Sequence, residues 1–157
     1  EAIKVLGCKS GIYGMIGGQA ADIEAESGTQ ITEELLLFIH ENKTAALIQA
    51  AMMIGAILAG AERSEVVAME RAAYNIGIAF QIQDDILDIT STTEVLGKPV
   101  GSDEKNHKLT YVTLHGIEQS KAQVEKLSDE ALAILSSFEN RNTFLEELVK
   151  FLITREK

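Results

Sequence analysis

An all-α fold is what this sequence predicts, and three observations predict it. Proline occurs once, at Pro99, and tryptophan not at all, while Ala, Leu, Ile and Glu are abundant, the usage of long packed helices. Apolar residues recur at helical spacing along most of the chain, and no strand-like alternation, internal repeat or low-complexity tract of useful length interrupts them. At 157 residues the chain fits one domain able to bury a substantial core.

The spacing predicts a first helix over about Glu1 to Ala25. Its glycines Gly7, Gly11, Gly14 and Gly18 recur every three or four residues, so they share a face on which another helix backbone could approach closely. Ser27-Gly28-Thr29 ends it. Thr32 is placed to cap the next helix, with Glu33 and Glu34 in its first turn, and the apolar pattern runs on to about Gly60. Ser64 and Glu65 start a third helix, apolar on nearly every side as far as Ile89 and therefore buried all round. Residues 91 to 108 collect Gly97, Pro99 and Gly101 and read as a loop. Further helices are expected over about Leu109 to Leu114, Ile117 to Phe138 and Phe144 to Arg155, the last with a capping box in Thr143 and Glu146.

Charge excludes some function classes. With 14 Lys and Arg against 24 Asp and Glu, the net charge of -10 argues against a nucleic-acid partner or a basic membrane face. The longest apolar stretch, Ala45 to Ala61, contains Gln49 and two glycines and is short for a membrane span, so no membrane insertion is expected. The single cysteine, Cys8, and the absence of a secretory pattern at the start point to a reducing cytoplasm. The chain opens on Glu1 rather than Met, with Ala2 to Leu6 already helical in pattern, which gives the expectation of a fragment or a shortened chain.

Three features carry chemistry. In Phe80-Gln81-Ile82-Gln83-Asp84-Asp85-Ile86-Leu87-Asp88, acids interrupt an apolar stripe, and on a helix Asp84 and Asp88 point within roughly 40° of each other. Three such carboxylates repel one another and cannot be buried uncompensated, which calls for a cation; grouped oxygens suit a hard divalent ion, and magnesium keeps positions open for phosphate oxygens. The bland alternative is an acidic, solvated helix end. Lys43 is the second feature: Leu36, Ile39, Leu47, Ala50 and Ile54 fall within roughly 40° of it on a regular helix. It is either a snorkelling lysine or one satisfied by a nearby acid, or else an ammonium aimed at an anionic ligand with the Thr44 hydroxyl beside it. Third, the loop Gly97-Lys98-Pro99-Val100-Gly101-Ser102-Asp103-Glu104-Lys105-Asn106-His107-Lys108 places three lysines and two glycines directly after the acidic helix. Acids holding magnesium beside lysines describe a diphosphate site; a solvated charged loop is the alternative. His40, His107 and His115 lack the spacing of a metal site.

These motifs, taken with Gly17-Gly18-Gln19-Ala20-Ala21-Asp22, His40-Glu41-Asn42-Lys43-Thr44 and Thr110-Tyr111, resemble in order and spacing the trans-isoprenyl diphosphate synthases. Bacterial farnesyl diphosphate synthases are the most alike, with geranylgeranyl diphosphate synthases next. The resemblance implies that residues 1–157 are the C-terminal part of one isoprenoid-synthase-type helical bundle. It implies a magnesium-dependent prenyltransferase that joins an allylic diphosphate to isopentenyl diphosphate. By similarity, Asp84 is the main magnesium ligand of the second aspartate-rich motif, and Asp85 and Asp88 hold metal-bound water and geometry. Lys43, Lys98 and Lys108 bind the leaving diphosphate, and Asp103 orients the lysine loop. Thr44 and Gln81 turn oxygen dipoles toward the allylic cation, while Gln19 and Asp22 match the family's GQxxD element as supporting residues. Val112 stands where many members have proline. The family's first aspartate-rich motif, isopentenyl diphosphate ligands and chain-length positions have no counterpart here, so the chain alone is expected to be inactive and its parent to be a homodimer. A non-catalytic regulatory subunit of the same fold and a class I terpene cyclase are the competing functions.

Overall fold

The computed structural model describes residues 1–27, 32–91 and 109–154. Among these residues every regular element is helical, as the single proline and the lack of period-two alternation predict.

The first predicted helix is two. Helix α1 spans Ala2–Ser10 and α2 spans Met15–Glu26, and the glycines expected to form a shared docking face make the break instead. A Cβ on Gly14 would sit 2.0 Å from the Lys9 carbonyl oxygen, and one on Gly11 2.6 Å from that of Gly7, so only glycine permits so tight a turn. Gly7 faces open space, and only Gly18 meets another element closely.

Helix α3 (Glu33–Ile39) begins as expected, with Thr32 Oγ1 accepting from the Leu35 N–H at 3.2 Å and Glu33 and Glu34 in the first turn. It then passes through a π-helical segment, His40–Ala45, into α4 (Ala46–Leu58). One extra residue is accommodated there, which shifts the register of everything that follows. Leu36, Ile39 and His40 are buried, and the next buried residues are Ala45, Ala46, Gln49 and Ala50. Leu47, expected in the same stripe as Lys43, is 41% exposed.

Helix α5 (Arg63–Thr90) is the axis of the bundle. Its cap is Glu62 rather than Ser64: the Glu62 side chain accepts from the third helical residue, while the Glu62 N–H donates to Glu65 Oε2 at 2.8 Å. At 28 residues it runs for about 42 Å. From Ala72 to Leu87 it is buried on nearly every side, under α4, the π-helical segment, α6 (Tyr111–His115), α7 (Ile117–Ser136) and α8 (Thr143–Thr154). Ile78, Ala79, Ile82 and Ile86 pack with Ala45, Val112, Val124 and Leu127 around its C-terminal half; Ala72 and Ile76 pack with Ala131, Leu135 and Val149 nearer its start.

Gly116, at φ 80°, turns the chain from α6 into α7. The cap of α8 also differs from expectation: Asn142 Oδ1 accepts from Leu145 N–H at 3.0 Å, and Glu146 is taken instead by Arg141, whose Nε and Nη2 donate to its two oxygens at 3.0 and 2.7 Å. Asn is a better N-cap than Thr, and a guanidinium fork outcompetes a backbone amide for the carboxylate.

Candidate functional site

The acidic segment lies where expected, on the last turns of α5. Asp88 is buried, 1% exposed, while Gln81, Asp84 and Asp85 are half-buried. Asp85 has a task that sequence does not disclose. Its Oδ2 accepts the backbone N–H of Tyr111 at 2.8 Å, fastening the first residue of α6 to the acidic end of α5.

That junction is reinforced from α6 itself. Thr110 Oγ1 accepts from Thr113 N–H at 3.2 Å and Thr113 Oγ1 accepts from Thr110 N–H at 2.9 Å. The Tyr111 and His115 rings pack with centroids 4.4 Å apart, and His115 Nε2 lies 3.1 Å from Glu33 Oε1 of α3 without meeting hydrogen-bond geometry. Burial, with the Glu33 charge nearby, pushes the Tyr111 phenol above its ordinary range.

Lys43 projects from the π-helical segment rather than from a regular apolar stripe, and is one-third exposed. Its ammonium donates to Asp22 Oδ2 at 2.5 Å, and that carboxylate is almost wholly buried. Of the expected readings, the structure shows the lysine satisfied by a nearby acid. Two glycines set the segment's depth. A Cβ on Gly18 of α2 would stand 2.2 Å from the Lys43 backbone nitrogen, and one on Gly77 of α5 would stand 2.5 Å from Ala45 Cα. Thus α2 and α5 close on the segment from both sides at backbone contact. On the α5 side the Tyr74 hydroxyl donates to Glu41 Oε1 at 2.5 Å. Burial and that carboxylate push the phenol up to about 12.

The structure thus brings Asp22 to Lys43, and packs the segment carrying Lys43 and Thr44 against the same helix that carries Gln81, Asp84, Asp85 and Asp88. Gln19 is half-buried on α2, about one turn before Asp22. Lys98, Asp103 and Lys108 lie outside the described residues. The Tyr74–Glu41 and Asp85–Tyr111 contacts have no signature in the sequence. Nor has the π-helical segment, whose five-residue step between His40 and Ala45 shows only in their burial.

Among the described residues no three His, Cys, Asp or Glu side chains converge closely enough to enclose a metal. The half-buried Asp84 carboxylate, a hard oxygen donor, fits an ion that keeps waters and ligand oxygens in its shell, as magnesium does, better than one needing a closed cage. No helix among the described residues is long and apolar enough to cross a membrane.

Comparison with known proteins gives the family of the chain. The family model described as polyprenyl synthetase matches residues 5–150. The chain is 45% identical over 145 residues to the dimethylallyltranstransferase of Fischerella ambigua, covering 92% of this chain and 42% of the relative. It is 41% identical over 159 residues to the farnesyl diphosphate synthase of Escherichia coli, covering 99% and 53%. Among solved structures, a geranyltransferase from Helicobacter pylori complexed with magnesium and isoprenyl diphosphate superposes with a TM-score of 0.77 at 34% identity, over 97% of this chain and 50% of that one. The chain therefore spans about half the length of the relatives it matches.

Proposed function

Because the chain belongs to the polyprenyl synthetase family, we propose that the protein carrying it is a prenyltransferase that condenses an allylic diphosphate with isopentenyl diphosphate. A short-chain product fits best, farnesyl first and geranylgeranyl next, given the named activities of the relatives. The observation that carries the proposal is the end of α5, where a buried Asp88 and half-buried Asp84 and Asp85 terminate a helix otherwise packed in apolar surroundings.

Each residue then has a physical role. Asp84, supported by Asp85 and Asp88, would hold a magnesium ion whose charge, when bound, neutralises diphosphate oxygens and makes diphosphate a better leaving group. The Lys43 ammonium, held in place by Asp22, binds the diphosphate with Lys98 and Lys108, and Asp103 orients the lysine loop. Donors fixed before the bond breaks lower the barrier because little reorganisation remains to be done. As the carbon–oxygen bond ionises, oxygen dipoles of Thr44 and Gln81 stabilise the allylic cation. Isopentenyl diphosphate supplies the double bond that attacks this cation, and the released diphosphate accepts the proton. The apolar residues around Ile82 and Ile86 keep water away from the cation. Homodimer assembly belongs to the same proposal.

Substituting Asp84→Ala in the protein as made in its source organism tests it. Turnover, followed by incorporation of labelled isopentenyl diphosphate, should fall by about a hundredfold or more. Rates near wild type would remove Asp84 from the metal site and with it the proposed mechanism.

A further inference from the structure

The π-helical segment His40–Ala45 demands an explanation that the diphosphate chemistry does not supply. Wide helical turns are intrinsically unfavourable, and those that persist are held by their surroundings and concentrate at functional sites. Here Gly18 and Gly77 set how closely α2 and α5 approach. Backbone contact alone leaves the rotation of the segment about its own axis undetermined. Two polar side chains on the segment resolve that freedom: Lys43, bonded to Asp22 of α2, and Glu41, bonded to Tyr74 of α5.

We propose that Tyr74 is a positioning residue: by holding Glu41 it fixes the rotation of the π-helical segment and thereby the direction in which the Lys43 ammonium is presented to diphosphate. The inference rests on Lys43 being a diphosphate ligand, as set out above. Tyr74 contacts no reacting atom in this scheme. It lies on α5, ten residues before Asp84, so the helix bearing the acids also sets the angle of the opposing cation. The phenol stays protonated, and so remains a donor, at any working pH, because burial and the Glu41 charge raise it to about 12.

A double-mutant cycle tests the proposal in the protein as made in its source organism. Affinity for inorganic diphosphate in the presence of magnesium is measured by calorimetry for wild type, Tyr74→Phe, Lys43→Met and the double variant, with KM for the allylic diphosphate and kcat measured alongside. The net contribution of an ordinary hydrogen bond sets the expected scale. Tyr74→Phe should weaken diphosphate binding about five- to tenfold and lower kcat/KM for the allylic diphosphate at least as much, with a fall in kcat because the ammonium acts on the leaving diphosphate. In the Lys43→Met background the same substitution should add less than about a twofold change. An equal effect in both backgrounds, or none in either, overturns the role of Tyr74. A Lys43→Met protein that binds diphosphate like wild type overturns instead the assignment of Lys43, and separates that failure from this one. If Tyr74→Phe does not fold, Glu41→Ala completes the same cycle with the same expected outcome.

Discussion

Gly18→Ala and Gly77→Ala should each harm the protein, although alanine is the better helix former. A Cβ at position 18 meets the Lys43 backbone nitrogen at 2.2 Å and the Asn42 carbonyl carbon at 2.7 Å; one at position 77 meets Ala45 Cα and Cβ at 2.5 Å. These are mostly backbone atoms, with no flexible side chain to swing aside, so the π-helical segment must shift by about 1 Å to restore ordinary contact. Overpacking of this kind costs about 1–3 kcal/mol, against up to about 1 kcal/mol regained from helix propensity. The net loss of about 1–2 kcal/mol corresponds to a fall of roughly 2–8 °C in Tm for a domain of this size. The effect on catalysis should be larger. Lys43 and Thr44 ride on the displaced segment, and a misplacement of about 1 Å can reduce turnover about a hundredfold. Gly7 and Gly55 are internal controls, because a Cβ at either meets nothing within 4 Å; alanine there should stabilise by about 0.5–1 kcal/mol. Thermal unfolding and steady-state rates of the four variants decide the matter. If Gly18→Ala tolerates heat and turns over as well as Gly7→Ala, the clamp on the segment does not exist.

Two further expectations follow from the packing. Arg141, by its hydrogen bonds, holds the Glu146 carboxyl below the usual glutamate range. With the folded value depressed, the unfolded chain binds more protons at intermediate pH, so the pair stabilises fully above about pH 4.5 and fades as pH falls through the lowered value. Melting curves of wild type and Glu146→Gln should accordingly diverge above that pH and converge in stronger acid; a gap of constant size down to about pH 3 would contradict the pairing. Ile82 is 0% exposed at the centre of the C-terminal core cluster. Ile82→Ala should therefore cost about 2–5 kcal/mol in chemical denaturation, and a loss below about 1 kcal/mol would show that the core is not packed as described.

Long apolar periods and strong local caps were legible in the sequence, because both depend on residues within a turn or two of one another. Thr32 and its two following glutamates announce α3, and the all-round apolar surface of α5 announces its burial. What escaped depends on distance or on competition. The step between α1 and α2 turns on crowding between Gly14 and the Lys9 carbonyl, which no propensity scale contains. Asn142 is a better cap than Thr143 and takes the Leu145 N–H, while Glu146, the other half of the expected capping box, is held by Arg141. Lys43 was placed correctly as an anomaly for a reason that needed revision. A regular helix would set it among Leu36, Ile39 and Leu47; the π-helical insertion turns Leu47 outward and brings Lys43 to Asp22 instead. Asp22, singled out only by its GQxxD spacing, is the residue that makes Lys43 comprehensible.

The bond from Tyr111 N–H to Asp85 also has a topological consequence. It pins together two points of the chain 26 residues apart, so the stretch that departs after α5 and re-enters at α6 begins and ends at a fixed gate. Once such a gate is closed, each doubling of the intervening length costs only about 0.6 kcal/mol. The chain carrying Lys98, Asp103 and Lys108 thus leaves and rejoins the bundle between two points that are bonded to each other.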